Sequence, residues 1–338
     1  MSASYNVAVA GASGAVGTTL ISILEERNFP VNKLFLLASA RSAGEKRQFK
    51  NQQVIISNIA DFDFSQTQIS FFCTSNEISA EYAPKAAAAG NIVLDKSSHF
   101  RYMADIPLIV PEVNQHTLNA YAKQGIIASP NCNTIPLAVA LKPIYDAVGI
   151  TRINVATYQS VSGSGKEAMV ELSEQSNQVL NGFDTQSKVY PQQIAFNVLP
   201  HIDPFETNGY TREEMKIVWE MQKIFNDYQM AINPTAVRVP VFCGHSAAVH
   251  LETRDKISLT QALELLANGP GIKLITGEFP YPTPVVDAAG QDFVFVGRVR
   301  EDVSHPKGLN LWVVADNLRK GAALNAIQVA ERLIGLSL

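Results

Sequence analysis

The feature that most restricts how this chain can fold lies near its start, where the apolar run Tyr5–Ala10 leads straight into Gly11-Ala-Ser-Gly14-Ala-Val-Gly17. From Ala15 to Arg27 the residues Val16, Leu20, Ile23 and Leu24 then recur on one helical face. Strand, glycine turn and helix in that order predict the opening of a dinucleotide-binding unit. Glycines let the backbone turn sharply and approach a pyrophosphate, and the helix N-terminus holds its charge. Gly11, Ser13, Gly14, Ala15 and Val16 are therefore candidate cofactor contacts. The spacing is GxxGxxG rather than GxGxxG, and a glycine turn without a ligand is the plain alternative. Lys33–Ala38 reads as the second strand, at whose end an NAD-specific unit carries an acid for the ribose hydroxyls. This chain continues instead Ser39-Ala-Arg41-Ser42-Ala-Gly44. A guanidinium between hydroxyls suits the 2′-phosphate of NADP, with a solvated surface arginine as the alternative.

Alternation of strand and helix continues through Ile69–Cys73, the alanine-rich helical stretch Ile78–Ala89, Ile92–Leu94 and Ile126–Ala128, while Leu108–Val110 reads as strand or loop. Cys73 falls inside a strand run and reads as core. The polar stretch Asp95–Arg101 follows a strand, where connections of an open parallel sheet face the ligand crevice. Beyond Arg152 the pattern changes. Strands are expected at Ile153–Ser160, Val237–Phe242, Ala247–Thr253, Phe293–Arg300 and Leu309–Ala315, and helices at Lys166–Leu180 and Leu259–Ala267. That order predicts an α+β domain with a mostly antiparallel sheet. Phe279–Pro284 is a proline-rich turn or loop, and a final helix at Gly321–Ile334 packs back on the first domain. The expected architecture is α/β: a Rossmann-type dinucleotide-binding domain over residues 1–130, joined by the segment 318–338, and a second, α+β domain over 131–317.

Length and composition agree with two domains, at 338 residues, 46% hydrophobic and 17% charged. A net charge of −4 without a basic block argues against a nucleic-acid partner. No apolar run approaches the roughly 18 residues of a membrane span, and Met1–Tyr5 lacks the features of a signal peptide, so a soluble, cytoplasmic protein is expected. The three cysteines, Cys73, Cys132 and Cys243, suit neither a disulfide framework nor a zinc cluster, and no metal is expected.

Ser129-Pro-Asn-Cys132-Asn-Thr134 places one of them in a polar turn between the apolar run Gly125–Ala128 and a helical run from Thr134 to Ala147. Main-chain N–H groups and the macrodipole at a helix N-terminus favour a thiolate, and Asn131 and Asn133 offer amides to an oxyanion. Most free cysteines are simply small buried residues, which is the competing reading. Acyl transfer through sulfur also needs a proton carrier. Of six histidines, His245 in Cys243-Gly-His-Ser246 follows a strand run directly, where a loop-borne catalytic group belongs. His250 lies within the next strand and reads as structural, and His99, His116, His201 and His305 sit in polar loops. Arg238 precedes His245 by a strand's length and suits bidentate capture of a carboxylate. Glu213 and Lys216 share a helix face, as an ordinary surface pair also would. Gln159 and the Ser162-Gly-Ser-Gly165 turn end another strand, where small residues admit a flat ring.

Taken together, GASGAVG, ASARSAG, SSHFR, SPNCNT, TYQSVSGSGK, REEMK, VRVPVFCGHSAAVH and DNLRKGAALNA resemble the aspartate-β-semialdehyde dehydrogenase family over nearly the whole chain. The resemblance implies a homo-oligomer, a dimer, with residues 131–317 as its catalytic and dimerisation domain, that uses NADP(H) to reduce β-aspartyl phosphate to aspartate semialdehyde on the route to lysine, methionine and threonine. It implies that Cys132 forms the acyl-thioester, that His245 is the general acid/base and that Gln159 positions the thioester. Arg238 would meet the substrate carboxylate and Glu213 its ammonium, with Arg101 and Lys216 on the phosphate and Asn131 nearby. Ser162, Gly163 and Asn317 join Ser13–Val16, Ser39, Arg41 and Ser42 as implied cofactor contacts. Asn133, where Ser or Thr is common, Lys96, where Asn is usual, and the glycine-poor Cys73-Thr-Ser-Asn-Glu depart from the pattern. The related N-acetyl-γ-glutamyl-phosphate reductases share the chemistry but block the amine, which removes any need for an acid such as Glu213. A nucleotide-sensing protein without catalysis has no use for both Cys132 and His245.

Overall fold

A computed structural model describes residues 4–336. The chain divides into two compact units, one running up to Asn131 and resuming at Ala322, the other spanning Cys132–Gly321.

In the first unit, β1 (Tyr5–Ala10), β2 (Val31–Ala38), β3 (Lys46–Phe49), β4 (Gln52–Asn58), β5 (Ile69–Phe72), β6 (Ile92–Asp95) and β7 (Ile126–Ala128) form a seven-stranded sheet. The spatial order is β3-β4-β2-β1-β5-β6-β7, and every pairing is parallel except β3 with β4. The order reverses between β1 and β5, which puts a crevice beyond their carboxyl ends. The turn after β1 opens there and leads into helix α1 (Ala15–Glu26). Val7, Val9, Leu20, Ile23, Leu24, Phe71 and Leu94 fill the core between sheet and helices. Helix α2 (Asn76–Ala88) precedes β6, and the single turn α3 (Pro111–Asn114) precedes β7.

The second unit holds α4 (Thr134–Val148), α5 (Lys166–Leu180), α6 (Arg212–Phe225) and α7 (Leu259–Ala267). Its strands are β8 (Ile150–Gln159), β9 (Ala231–Arg238), β10 (His245–Thr253), β11 (Ile272–Leu274), β12 (Val294–Glu301) and β13 (Gly308–Ala315), in the order β11-β12-β13-β10-β8-β9. The three central pairings are antiparallel, and the edge pairs β8–β9 and β11–β12 are parallel. This is the antiparallel-rich sheet the sequence predicts. Helix α4 is apolar almost all round, with Ile135 to Leu141 buried, as befits a helix covered on most sides. The last helix, α8 (Leu324–Leu333), follows a π-helical turn at Arg319–Ala323 and belongs to the first unit. There Leu324, Ile327 and Ala330 join the core and Glu331 pairs with Arg27 at 2.8 Å. Residues 337 and 338 of the expected C-terminal segment lie outside the described residues.

Several expectations are corrected. The strand expected at Val237–Phe242 runs instead from Ala231 to Arg238. Beyond Arg238 the partner strand β8 has ended, and Pro240 brings no N–H to a ladder. Val241 and Phe242 accept hydrogen bonds from Val161 and Ser162 instead. Pro234 is tolerated inside β9 because that strand is an edge. His245 is the first residue of β10, not a loop residue. Cys73 lies one position beyond β5 and packs partly buried against the core. Leu108–Val110 is extended, with one bridge from Leu108 to Ala128. The hairpin β3–β4 was not expected at all.

Candidate active site

Strand topology assembles the site of the second unit. The parallel strands β8 and β9 end side by side, with Gln159 in register with Arg238. Strand β10 runs antiparallel to β8, so its first residue, His245, starts beside the last residues of β8, and it pairs with Ala315 at the end of β13. Gln159, Arg238 and His245 are all buried. Ser160, which sequence reasoning passed over, joins them. Its main-chain N–H donates to His245 Nδ1 at 3.0 Å, its hydroxyl lies 3.1 Å from the same nitrogen, and its carbonyl accepts from Arg238 Nη1 at 2.7 Å. Asn317 Oδ1 accepts from Gly244 N–H at 2.9 Å and from the Ser160 and Ser162 hydroxyls, both at 3.2 Å. Asn317 and Ser162 thus brace the histidine.

Glu213 supplies the second half of the cluster. It is only 5% exposed. Its Oε1 accepts from Asn133 Nδ2 at 3.2 Å and Gln159 Nε2 at 3.3 Å, and its Oε2 from Lys216 Nζ at 3.1 Å. Asn133 Nδ2 also lies 3.8 Å from Cys132 Sγ, so the residue flagged as a departure links the cysteine to the glutamate. Cys132 itself is half-buried, one residue before Asn133 at the N-cap of α4. Gly321 is a further missed neighbour: a methyl group there would lie 2.9 Å from the Cys132 carbonyl oxygen. A missing side chain is the only signal such a contact leaves in a sequence.

The electrostatics separate the ionisable groups. Burial, with the Arg238 charge second, holds the His245 imidazole down at about 3, against the opposing pull of Glu213. Burial alone would lower Lys216, but the carboxylates of Glu213 and Asp203 outweigh it and raise the ammonium above its usual range. Cys73 is pushed up to about 12 by burial despite Lys96, and burial raises Cys243 as well. Both are thiols at neutral pH. Arg238 Nε and His245 Nε2 are buried and have no hydrogen-bond partner among the described residues. Gly163 faces both side chains, since a methyl group on it would lie 3.1 Å from Arg238 Nη1 and 3.4 Å from His245 Nε2.

The first unit holds the remaining candidates. Arg101 is buried, with Nε on the Ser129 carbonyl at 2.9 Å and Nη2 on the Lys96 carbonyl at 2.8 Å. Lys96 Nζ donates to the Ser129 hydroxyl at 2.9 Å, so both cations converge on the segment that carries Asn131. The glycine turn fits a dinucleotide. Gly11 has φ +81, and a methyl group on it would lie 2.2 Å from the Cys73 carbonyl oxygen. One on Gly17 would lie 2.2 Å from the Gly11 oxygen. Helix α1 starts at Gly14 without a side-chain cap or an acid in its first turn, leaving its N-terminus suited to an anion. Ser39, Arg41 and Ser42 follow β2, the neighbour of β1, on a short 3₁₀ turn, with Arg41 exposed. His250, hydrogen-bonded to Asn310 and paired with Asp302, lies apart from the cluster within its strand. Among the described residues no group of side chains could hold a metal ion, and no helix is long and apolar enough to cross a membrane.

Two family models match the chain: semialdehyde dehydrogenase, NAD binding domain, over residues 6–121, and semialdehyde dehydrogenase, dimerisation domain, over residues 141–320. The chain is 59% identical over 334 residues to the aspartate-semialdehyde dehydrogenase of Shewanella violacea, with 99% of each covered. It is 56% identical to aspartate-semialdehyde dehydrogenase 2 of Vibrio cholerae, again with 99% of each covered. The crystal structure of aspartate semialdehyde dehydrogenase II of V. cholerae complexed with ASA matches at a TM-score of 0.97 and 55% identity, over 99% of both chains.

Proposed function

The chain belongs to the aspartate-semialdehyde dehydrogenase family, and from that premise we propose how its residues carry out the NADP-dependent reductive dephosphorylation of β-aspartyl phosphate to aspartate semialdehyde, a step of amino-acid biosynthesis. The observation that carries the reading is the pair of buried, unpartnered side-chain nitrogens, Arg238 Nε and His245 Nε2, on two side chains that both face Gly163. Buried donors without partners cost about 1–3 kcal/mol each, a cost that a bound anion removes. Arg238 takes the α-carboxylate of the substrate, and Glu213 its α-ammonium. The thiolate of Cys132 attacks the acyl phosphate, the C–O bond to phosphate breaks, and the acyl group remains on sulfur as a thioester. Arg101 and Lys216 take the charge of the departing phosphate, with Asn131 beside the nucleophile in sequence. Gln159, held on Glu213, orients the thioester, and His245 acts on its oxygen. The glycine turn, with Ser13 to Val16 and the Ser39–Ser42 segment, would hold NADPH, and the chemistry that cofactor would supply when bound is hydride transfer. Ser162, Gly163 and Asn317 border the same chemistry. Residues 1–130 with 318–338 serve as the nucleotide domain and 131–317 as the catalytic and dimerisation domain of a cytoplasmic homodimer.

The test is the reaction run backwards: phosphate-dependent reduction of NADP by the purified protein given aspartate semialdehyde. Cys132→Ala is expected to lower turnover on the order of 10⁴-fold or more. Turnover by that variant within tenfold of the parent would reject the covalent route. N-acetylglutamate semialdehyde, which lacks the free ammonium, is expected to be a poor substrate.

A further inference from the structure

Three contacts hold Arg238, and two of them come from a stretch of chain that the reaction itself does not use. Its main chain forms an antiparallel bridge with Leu199, whose N–H donates to the Arg238 carbonyl at 2.9 Å and whose carbonyl accepts from the Arg238 N–H at 2.8 Å. Its Nη1 donates to the Ser160 carbonyl at 2.7 Å. Its guanidinium carbon lies over the ring of Tyr190, 5.8 Å from the centroid. A cation at that distance is attracted by the negative face of the ring, the more so where water is excluded, and both side chains are buried.

The segment that carries Tyr190 and Leu199 has no helix or strand of its own between α5 and α6, so its N–H groups need acceptors from elsewhere. Helix α5 supplies them from two buried side chains one turn apart, Glu171 and Gln175. The Glu171 carboxylate accepts from the Lys188 N–H at 2.8 Å, the Val189 N–H at 2.6 Å and the Tyr190 N–H at 3.4 Å. Gln175 Oε1 accepts from the Ile194 N–H at 2.9 Å and the Ala195 N–H at 3.2 Å. The main chain is thus gripped on both sides of Tyr190, whose ring belongs to the apolar cluster of Val161, Ala168 and Leu172. A ring held at its backbone and packed at its edges is a fixed platform.

We propose that Tyr190 is a positioning residue for substrate capture: its ring, set in place by Glu171 and Gln175, holds the Arg238 guanidinium in the orientation that receives the substrate's α-carboxylate. This rests on the reading that Arg238 binds that carboxylate. With Nη1 committed to Ser160 and the ring against its face, the guanidinium has lost its freedom to turn before substrate arrives, while Nε keeps no partner among the described residues. A fork ordered in advance loses less entropy when it closes on a carboxylate. The benefit falls on binding of the amino-acid end and not on chemistry at sulfur.

Steady-state assays of the full-length protein in the phosphate-dependent direction test it. Tyr190→Phe keeps the aromatic face and is expected to hold KM for aspartate semialdehyde within about twofold of the parent, whereas Tyr190→Leu is expected to raise it about fivefold or more, with kcat and the KM values for phosphate and NADP within about twofold. Glu171→Gln sets an amide against main-chain N–H groups and is expected to raise the same KM selectively; it takes the place of Tyr190→Leu should that variant not fold. In an Arg238→Ala background Tyr190→Leu is expected to add less than about twofold, because the ring acts through Arg238. A semialdehyde KM left unmoved, a rise shared by all three substrates, equal rises with Phe and Leu, or full additivity with Arg238→Ala overturns the proposal. Should Arg238→Ala itself leave that KM unchanged, the carboxylate reading falls and the proposal with it. A rise with Arg238→Ala and none with Tyr190→Leu overturns the platform alone.

Discussion

Glu213 and Lys216 stand three apart on α6, a spacing that on an exposed helix gives a pair worth a few tenths of a kcal/mol. Burial changes what that pair is. With Asn133, Gln159 and Lys216 all on one carboxylate, Glu213 is a junction between the cysteine segment and the end of β8. Arg41 is the opposite case: it is exposed on its 3₁₀ turn. Its proposed partner is the 2′-phosphate that distinguishes NADP from NAD, and a charge-assisted contact of that kind is worth about 1.5–3 kcal/mol. Arg41→Ala is therefore expected to lower the ratio of kcat/KM for NADP over NAD by about tenfold or more. An unchanged ratio would make Arg41 an ordinary surface arginine.

At the scale of elements, α6 begins with a complete capping box. Thr211 Oγ1 accepts from the Glu214 N–H at 3.3 Å, and Glu214 Oε2 accepts from the Thr211 N–H at 2.6 Å. The other Glu214 oxygen accepts from Ala236 N–H of β9 at 2.9 Å, so the box also anchors the helix carrying Glu213 and Lys216 to the strand carrying Arg238. Thr211→Val keeps the shape and deletes the acceptor, and is expected to cost about 1 kcal/mol in denaturant unfolding. A change below a few tenths would mean that the Glu214 contacts alone define the helix start. Elements with strong local signals were legible: α1, α5 and α7 lie within a residue of where periodicity puts them. The hairpin β3–β4 was not, because Lys46–Phe49 is largely polar and its turn uses Lys50 at φ +50 where Gly is the usual signal. Strand β9 was misplaced because the alternating apolar residues of Val237–Phe242 outweighed Ala231–Arg238, whose Pro234 argues against a central strand and is acceptable only at an edge.

At the scale of the whole molecule, the first unit is closed by residues from both ends of the chain. The Arg27–Glu331 pair is bidentate, with both contacts at 2.8 Å, and the Glu331 side chain is only 4% exposed. Arg27→Met removes one partner and leaves a buried carboxylate, a change expected to destabilise by about 3 kcal/mol. Hydrogen exchange should show the loss concentrated in α1 and α8, and protection unchanged in both helices would refute the assignment.

What the sequence by itself determined was whatever depends on neighbours along the chain: the strand–glycine–helix opening, Cys132 in a turn before an apolar helix, a hydroxyl-flanked arginine where an acid would specify NAD. Those signals are local because turn geometry and helical periodicity are set within a few residues. The tertiary structure alone decided which ionisable groups are buried and which groups they bond to. Asn133 reaches Glu213 across 80 residues of chain, and the Ser160 amide reaches His245 across 85. Neither distance leaves a period or a spacing in the sequence, because hydrogen bonds to main-chain atoms carry no residue code and desolvation is a property of everything packed around a group.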